Sequence, residues 1–410
     1  RMALFYVFIF FIIAISFMFP FKILINSKLS KKYFLVFSST YGDLKSFLCW
    51  IQRRIVFKSG EGKIMEKFKI ENIEIGGDKI VFIAEIGLCH NGSVEIAKTL
   101  IDLAKDAGAD IVKFQKRDVN TLATEDTLDA EDNRFPTFGK TYREVREYIE
   151  FSKEEYIEIV EHCKKREILF SCTPFDLPSL SILEELDTKM YKVASHGLTN
   201  IPLLKGVAKT NKLTILSTGM CTYDEIDSAV KIFEDEGTPL VLLHCVSSYP
   251  TNHDEANLQM ILKLKDRYKK IIGLSTHEQG ILATIAGAAI GAKVIERHIT
   301  LDHNLEGFDH KIAVDPYEMR ELVTSLSDIE KMLKFKEKSI SEAEQVTRDK
   351  YRVSLISRGD IAEGSIITKE NLICKNPGTG IPSKDMDKII GKRAKVNIVN
   401  DTLISWDMVL

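Results

Sequence analysis

Ser275 and His277 stand two residues apart at the end of one short apolar run, and Glu296 and His298 stand two apart at the end of another. In an extended strand such residues share a face. If the two runs are neighbours in a sheet, about 4.8 Å apart, the imidazoles lie at matching heights beside a carboxylate. Such a pair could grip one divalent ion while leaving positions open, as Lewis-acid catalysis requires. Taken singly, each histidine reads as structural; the cross-strand pairing gives it a ligand's role. Neither HExxH nor CxxC spacing is present, so the imidazoles meet only if the chain folds the two runs side by side. Lys113 and Lys192 sit within other apolar runs, where an ammonium is costly unless partnered. With Thr173, Ser195, Ser217, Ser247 and Ser275 they would form a ring of cationic and hydroxyl donors. That ring suits a small phosphorylated anion bearing a carboxylate. His162, His253 and His303 lack such neighbours and read as surface residues.

These residues need a scaffold that brings distant segments to one mouth. Short β-branched runs at 81–84, 111–114, 168–171, 190–194, 213–217, 240–244, 271–274 and 294–297 alternate with stretches of helical period. One such stretch has Val94, Ile96, Ala97, Leu100, Ile101 and Ala104 three and four apart, with Ser93 as its expected N-cap. Strands alternating with helices imply a parallel sheet, and eight units over roughly 250 residues match a closed (β/α)8 TIM barrel. A doubly wound open sheet is the alternative, but no GxGxxG follows the first run. In a barrel the catalytic side chains come from the C-terminal ends of the strands. The eight runs end in Glu85, Lys113 and Gln115, Ser171 and Thr173, Lys192 and Ser195, Ser217 and Thr218, His244 and Ser247, Ser275 and His277, and Glu296 and His298.

The barrel is expected over 65–336, followed by a charged linker at 337–350. A small, mostly β module over 351–410 follows, where short strands alternate with tight turns. Residues 1–64 form an apolar extension; 3–21 is nearly unbroken hydrophobe, followed by Lys22, Lys28, Lys31 and Lys32. The run is long enough to span a bilayer, while Met65 opens a polar segment resembling a natural start. The extension is therefore either a membrane anchor or an upstream segment foreign to a cytoplasmic enzyme. The net charge of −3 and 28% charged residues give no basic stripe for nucleic acid. Seven scattered cysteines without CxxC indicate a reducing compartment.

The segment Ala84-Glu85-Ile86-Gly87-Leu88-Cys89-His90-Asn91-Gly92 resembles the AEIGxNHxG opening of the sialic acid synthase family. The family's later motifs follow in order: Val112-Lys113-Phe114-Gln115, Ser171-Cys172-Thr173-Pro174-Phe175, Lys192-Val193-Ala194-Ser195, Leu216-Ser217-Thr218-Gly219-Met220, Tyr249-Pro250-Thr251, Gly273-Leu274-Ser275 and Ile295-Glu296-Arg297-His298. Pro377-Gly378-Thr379-Gly380 is similar to the antifreeze-like (SAF) domain appended to these synthases. The resemblance implies metal-dependent condensation of phosphoenolpyruvate (PEP) with N-acetylmannosamine or a related amino sugar, giving a nine-carbon 2-keto acid and phosphate. It implies His277 and His298 as ligands of Mn2+ or Mg2+. Lys113, Thr173, Lys192, Ser195, Ser217, Ser247 and Ser275 would bind PEP; Asn133, Tyr249 and Asp309 would face the sugar. Glu85, Lys113 and Glu296 would be catalytic, Glu85 as the proton-handling carboxylate, in a homodimer. Legionaminic or another nonulosonic acid, or a non-catalytic sugar-binding barrel, are the alternatives. Cys89, Gly197, Thr276 and Asn376 depart from the family pattern, which usually has Asn, an acidic residue, Asp and Arg there.

Overall fold

The computed structural model describes residues 67–410; the apolar segment at 3–21 lies outside them. Two short antiparallel strands, β1 (Phe68–Ile70) and β2 (Ile73–Ile75), open the described chain. Eight strands follow: β3 (Val81–Gly87), β4 (Ile111–Lys116), β5 (Leu169–Pro174), β6 (Met190–Val193), β7 (Leu213–Ser217), β8 (Leu240–Cys245), β9 (Ile272–Ser275) and β10 (Val294–His298). They close into a parallel barrel, with β10 pairing both β9 and β3. All eight expected strands are present, and the expected (β/α)8 barrel is the observed fold.

The helices that follow these strands are α1 (Val94–Ala107), α2 (Lys153–Lys165), α3 (Leu177–Glu185), α4 (Ile201–Lys209), α5 (Tyr223–Glu236), α6 (Met260–Tyr268), α7 (Leu282–Ala289) and α8 (Pro316–Met332). Their limits follow from local chemistry. The Ser93 hydroxyl accepts from the Ile96 N–H at 3.3 Å, and Gly108 closes α1 in the left-handed conformation at φ 94°. Ser152 with Glu155 and Thr222 with Glu225 form capping boxes on α2 and α5.

Strand alternation divides the core in two. Val81, Ile83, Ile111, Leu169, Met190, Ile215, Val241, Leu243 and Val294 point inward, with Ile73 and Ile75 of the hairpin packed among them. Phe82, Ala84, Val112, Phe170, Tyr191, Leu216, Leu242, Leu274 and Ile295 point outward against the helices. Each buried Leu or Ile contributes roughly 1.5–3 kcal/mol, so a one-residue slip in any strand would reverse both faces. That fixes the register on which the mouth depends.

The chain divides into two compact units between Met332 and Leu333. The second has its own core of Leu355, Ile361, Ile367, Leu372, Ile381, Ile389, Ile398 and Ile404. Its strands β11 (Ser354–Ser357) and β12 (Leu372–Lys375) pair antiparallel. Part of the charged segment expected as a linker is helical, Glu342–Tyr351, and starts from a capping box of Ser341 and Glu344. Among the described residues no helix is long and apolar enough to cross a membrane.

Candidate active site

Inward positions switch from apolar to polar at the C-terminal ends of the strands, and the register sets which groups meet. Glu85 of β3 lies beside His298 of β10 on one side and Lys113 of β4 on the other. Gln115 pairs with Thr173 of β5, and Glu296 with Ser275 of β9. Lys113 Nζ is 2.6 Å from Glu85 Oε2 and donates to Thr173 Oγ1 at 3.0 Å. Lys192 Nζ donates to Ser217 Oγ at 2.6 Å. Both ammoniums face one carboxylate: Glu296 Oε2 is 3.8 Å from Lys113 and Oε1 is 3.7 Å from Lys192. Ser275 Oγ donates to the same Oε1 at 3.0 Å.

Burial and pairing set the charges. Burial would raise the Glu296 carboxyl, but Lys113 and Lys192 overcome it and hold it down to about 2. Burial works to lower the Lys113 ammonium; Glu296 and Glu85 outweigh it, and the result lies above the ordinary lysine value. Lys192 has Glu296 in its favour and Lys113 against it, and burial leaves it below the ordinary value. The result is a buried floor with two cations and two carboxylates, surrounded by hydroxyls.

Glycines keep the floor open. A Cβ on Gly219 would stand 2.4 Å from Ser247 Oγ and 2.8 Å from Ser195 Oγ. The Gly219 N–H instead donates to Ser195 Oγ at 3.0 Å, making a small cup of donors with those two serines. Gly87, at φ +54°, sits where a Cβ would press on Glu85, Gln115 and His298 at once.

The two histidines meet as expected, with ring centroids 5.7 Å apart. Burial and the neighbouring His298 pull the His277 imidazole down to about 4, so it is neutral near pH 7. Its Nδ1 lies 3.0 Å from the Val246 carbonyl oxygen. Only an Nδ1–H can donate there, which leaves the Nε2 lone pair available to a metal. His298 Nδ1 is buried without a hydrogen-bond partner, and Asp309 Oδ2 lies 3.6 Å from it. Glu296 Oε2 is likewise orphaned. Buried polar atoms are normally satisfied, and two orphans here fit a site made to receive a ligand. A neutral imidazole with a free lone pair, a second imidazole and a carboxylate are a donor set suited to a divalent ion. The half-exposed Tyr249 ring packs on His277 at 4.0 Å and borders the opening.

Asn133 is not brought into this group. It is exposed on the connection from β4 to α2 and donates to Glu131 at 3.0 Å. His244 also departs from the expected convergence: it shares the outward face with Leu240 and Leu242, and its Nε2 bonds the Ala256 carbonyl at 2.9 Å. His162 and His303, read as surface residues, are partly buried. His162 Nε2 lies 2.8 Å from Asp102 Oδ1. A cavity of about 560 Å³ lies at the opposite end of the barrel, beside Glu71, Lys105, Thr188 and Lys189, and includes none of the mouth residues.

Sequence reasoning placed Gln115 at the end of its strand without a partner and missed two further contributors. Gln115 donates to Glu85 Oε1 at 2.7 Å. Gly219 completes the cup. Arg297, fully buried between Glu296 and His298 but pointing outward, bonds Thr276 Oγ1, Glu278 Oε1, the Gly280 carbonyl, Thr284 Oγ1 and the Ile312 carbonyl. Thr276 and Glu278 flank His277, so this outer network holds the segment that presents the imidazole. Thr276, one of the departures from the family pattern, takes part in that network through Arg297 and Thr284.

Residues 100–338 match the NeuB family, and residues 352–410 match the SAF domain. The chain is 38% identical over 330 residues to the N,N'-diacetyllegionaminic acid synthase of Campylobacter jejuni, covering 80% of this chain and 99% of that protein. It is 33% identical over 338 residues to the N-acetylneuraminate-9-phosphate synthase of Homo sapiens, covering 82% and 94%. The crystal structure of an N-acetylneuraminic acid (sialic acid) synthetase from Leptospira borgpetersenii in complex with citrate is similar at TM-score 0.61 and 37% identity, covering 69% of this chain and 95% of that one.

Proposed function

The chain belongs to the NeuB family of nonulosonate synthases, and from that premise we propose that it condenses PEP with N-acetylmannosamine or a related amino sugar. The products are a nine-carbon 2-keto acid, N-acetylneuraminate or a close relative, and inorganic phosphate. One observation carries the assignment: two buried ammoniums converge on Glu296 within a ring of hydroxyls, one of which, Ser195 Oγ, is held by the Gly219 N–H.

In this reaction Lys113 and Lys192 neutralise the phosphate and carboxylate of PEP, while Thr173, Ser195, Ser217, Ser247 and Ser275 orient it. C3 of PEP bonds to the aldehyde carbon of the open-chain sugar, and the aldehyde oxygen takes up a proton. Glu85, beside both Lys113 and His298, is the carboxyl that handles that proton. Water then adds at C2, and the C2–O bond to phosphate breaks. A divalent ion, Mn2+ or Mg2+, held by His277 and His298 with Asp309 nearby, would supply Lewis-acid polarisation of the aldehyde. Tyr249 and Asp309 face the sugar, and Asn133 reaches it only if its connection moves. The same proposal has the enzyme working as a cytoplasmic homodimer.

A second sugar is favoured by a specific observation: the diacetyllegionaminic synthase matches over 99% of its length. A substrate with two acetamido groups therefore belongs in the test. Phosphate release from PEP and 2-keto acid formation would be followed with a panel of hexosamines, with and without EDTA. Release with at least one sugar, abolished by EDTA and by His277→Ala or His298→Ala, is the expected result. No release with any sugar, or full activity in either histidine variant, would overturn the proposal.

A further inference from the structure

His303, on the connection from β10 to α8, and Asp315 and Glu318, at the start of α8, bring an imidazole nitrogen and two carboxylate oxygens within 4.8 Å of one another. Their polar partners are one another and nearby main chain, not the residues of the mouth. His303 Nε2 lies 3.7 Å from Asp315 Oδ2 and 3.3 Å from Glu318 Oε2. Charge-assisted N–H···O bonds close to about 2.7–2.9 Å, so both separations are long for direct pairing. They match the edge of a coordination sphere, because metal bonds of about 2.1 Å at tetrahedral angles set ligand atoms about 3.4 Å apart.

The imidazole is oriented from outside the cluster. His303 Nδ1 lies 3.2 Å from the main-chain oxygen of His310, which selects the Nδ1–H tautomer and turns the Nε2 lone pair towards the carboxylates. Asp315 uses Oδ1 for the N–H groups of Tyr317 and Glu318, both at 2.8 Å, and keeps Oδ2 free. The three side chains are between a quarter and two-fifths exposed, which leaves room for water in the remaining coordination positions.

From this geometry we propose a second metal site, in which His303, Asp315 and Glu318 bind a first-row divalent transition ion of the Zn2+ kind. An imidazole with two carboxylates suits such ions better than Mg2+ or Ca2+, which prefer oxygen donors alone. The site has a structural consequence. The chain between His303 and Asp315 carries Asp309, the carboxylate facing His298. Its base is already tied by Val314 N–H to the His298 carbonyl at 2.7 Å and Thr300 N–H to the Val314 carbonyl at 3.0 Å. An ion joining His303 to α8 closes this loop at a second point and orders Asp309 from behind.

The test uses the full chain carrying His277→Ala and His298→Ala, so that the mouth contributes no imidazole. Titrated with Zn2+ in a calorimeter, this protein should bind one equivalent, and Zn2+ should slow hydrogen exchange over residues 300–314. Adding His303→Gln or Glu318→Gln should weaken that binding at least tenfold. Glu318 Oε2 also accepts from the Asp315 N–H at 3.1 Å; Glu318→Gln keeps an amide oxygen there and removes the charge, so helix capping survives and weaker binding reports the lost carboxylate. Absence of binding in the double variant, unchanged affinity in both added variants, or exchange over 300–314 indifferent to Zn2+ would overturn the proposal. The outcome is independent of turnover, so it fails separately from the assigned reaction.

Discussion

Gly219→Ala tests the anion cup with the smallest possible change. The backbone of Gly219 lies outside the left-handed region, so alanine carries no conformational penalty there; the effect is local crowding. The new methyl would start 2.4 Å from Ser247 Oγ and 2.8 Å from Ser195 Oγ, and both hydroxyls must swing away. In the proposed binding mode each hydroxyl gives the charged ligand a hydrogen bond worth about 1.5–3 kcal/mol. Losing both costs roughly 3–6 kcal/mol of PEP affinity, a fall in kcat/KM for PEP of at least about a hundredfold. Overpacking adds about 1–3 kcal/mol of destabilisation, to be measured separately by urea unfolding. Steady-state assays varying PEP and sugar independently give the decisive comparison: the KM for PEP rises while that for the sugar holds. Pairing Gly219→Ala with Ser247→Gly removes the nearer clash and should recover stability but not PEP affinity, because the Ser247 hydroxyl is then absent and Ser195 stays displaced. An unchanged KM for PEP, or equal losses for both substrates, would refute the placement of phosphate or carboxylate at this cup.

Other perturbations address the charges and their supports. Glu296→Gln removes the carboxylate that Lys113 and Lys192 share; without it Lys192, already below its ordinary value through burial, deprotonates more readily. The alkaline limb of kcat/KM should therefore move to lower pH, and a limb that stays in place would show that Lys192 does not govern it. Acid should unfold the protein from within. His90 is buried against Phe151, and burial with the Arg117 cation holds its imidazole down to about 3. The unfolded chain takes a proton below about 6.5 that the folded one refuses, so stability rises with pH across that window and falls by roughly 4–5 kcal/mol towards pH 3. Urea midpoints at pH 7, 5.5 and 4.5 should decline in that order, and a flat series would exclude His90 as the titrating group. Arg297→Met should cost about 3–5 kcal/mol by stranding the Glu278 carboxylate. It should also weaken divalent-metal binding at the mouth, whereas unaltered metal affinity in the folded variant would show that the outer network does not position His277.

The fold and much of the mouth were legible because a barrel strand encodes two faces in one alternation. The strand β10 reads Val-Ile-Glu-Arg-His, and the parity that sends Val294, Glu296 and His298 inward sends Ile295 and Arg297 outward. The sequence therefore contained the outward role of Arg297, but a motif read as a block hid it. The same parity, applied to β8, would have removed His244 from the mouth. The Ser341-x-x-Glu344 spacing was a helix start in plain view within a segment read by charge alone.

What remained out of reach depends on closure. That Glu85 lies between His298 and Lys113 follows from the last strand pairing with the first, a relation between positions more than two hundred residues apart that no local period records. Gly219 belongs to the same class: its value lies in the absence of a Cβ next to two serines that follow other strands, visible only once those strands are neighbours. Asn133 and Asp309 sit on connections outside the strand register, where alternation has no hold. Asp309 is nonetheless placed, because a main-chain bridge from Ile299 to Val314 extends the pairing of β10 beyond its end. The connection holding Asn133 has one comparable bridge, Glu131 to Thr141, and it joins that connection to itself. That connection is fastened to the one carrying Asp309 by side chains instead, with Phe135 packed on Phe308 at 4.5 Å, so the candidate sugar contact set is placed by main-chain bonding at Asp309 and by side-chain packing beside Asn133.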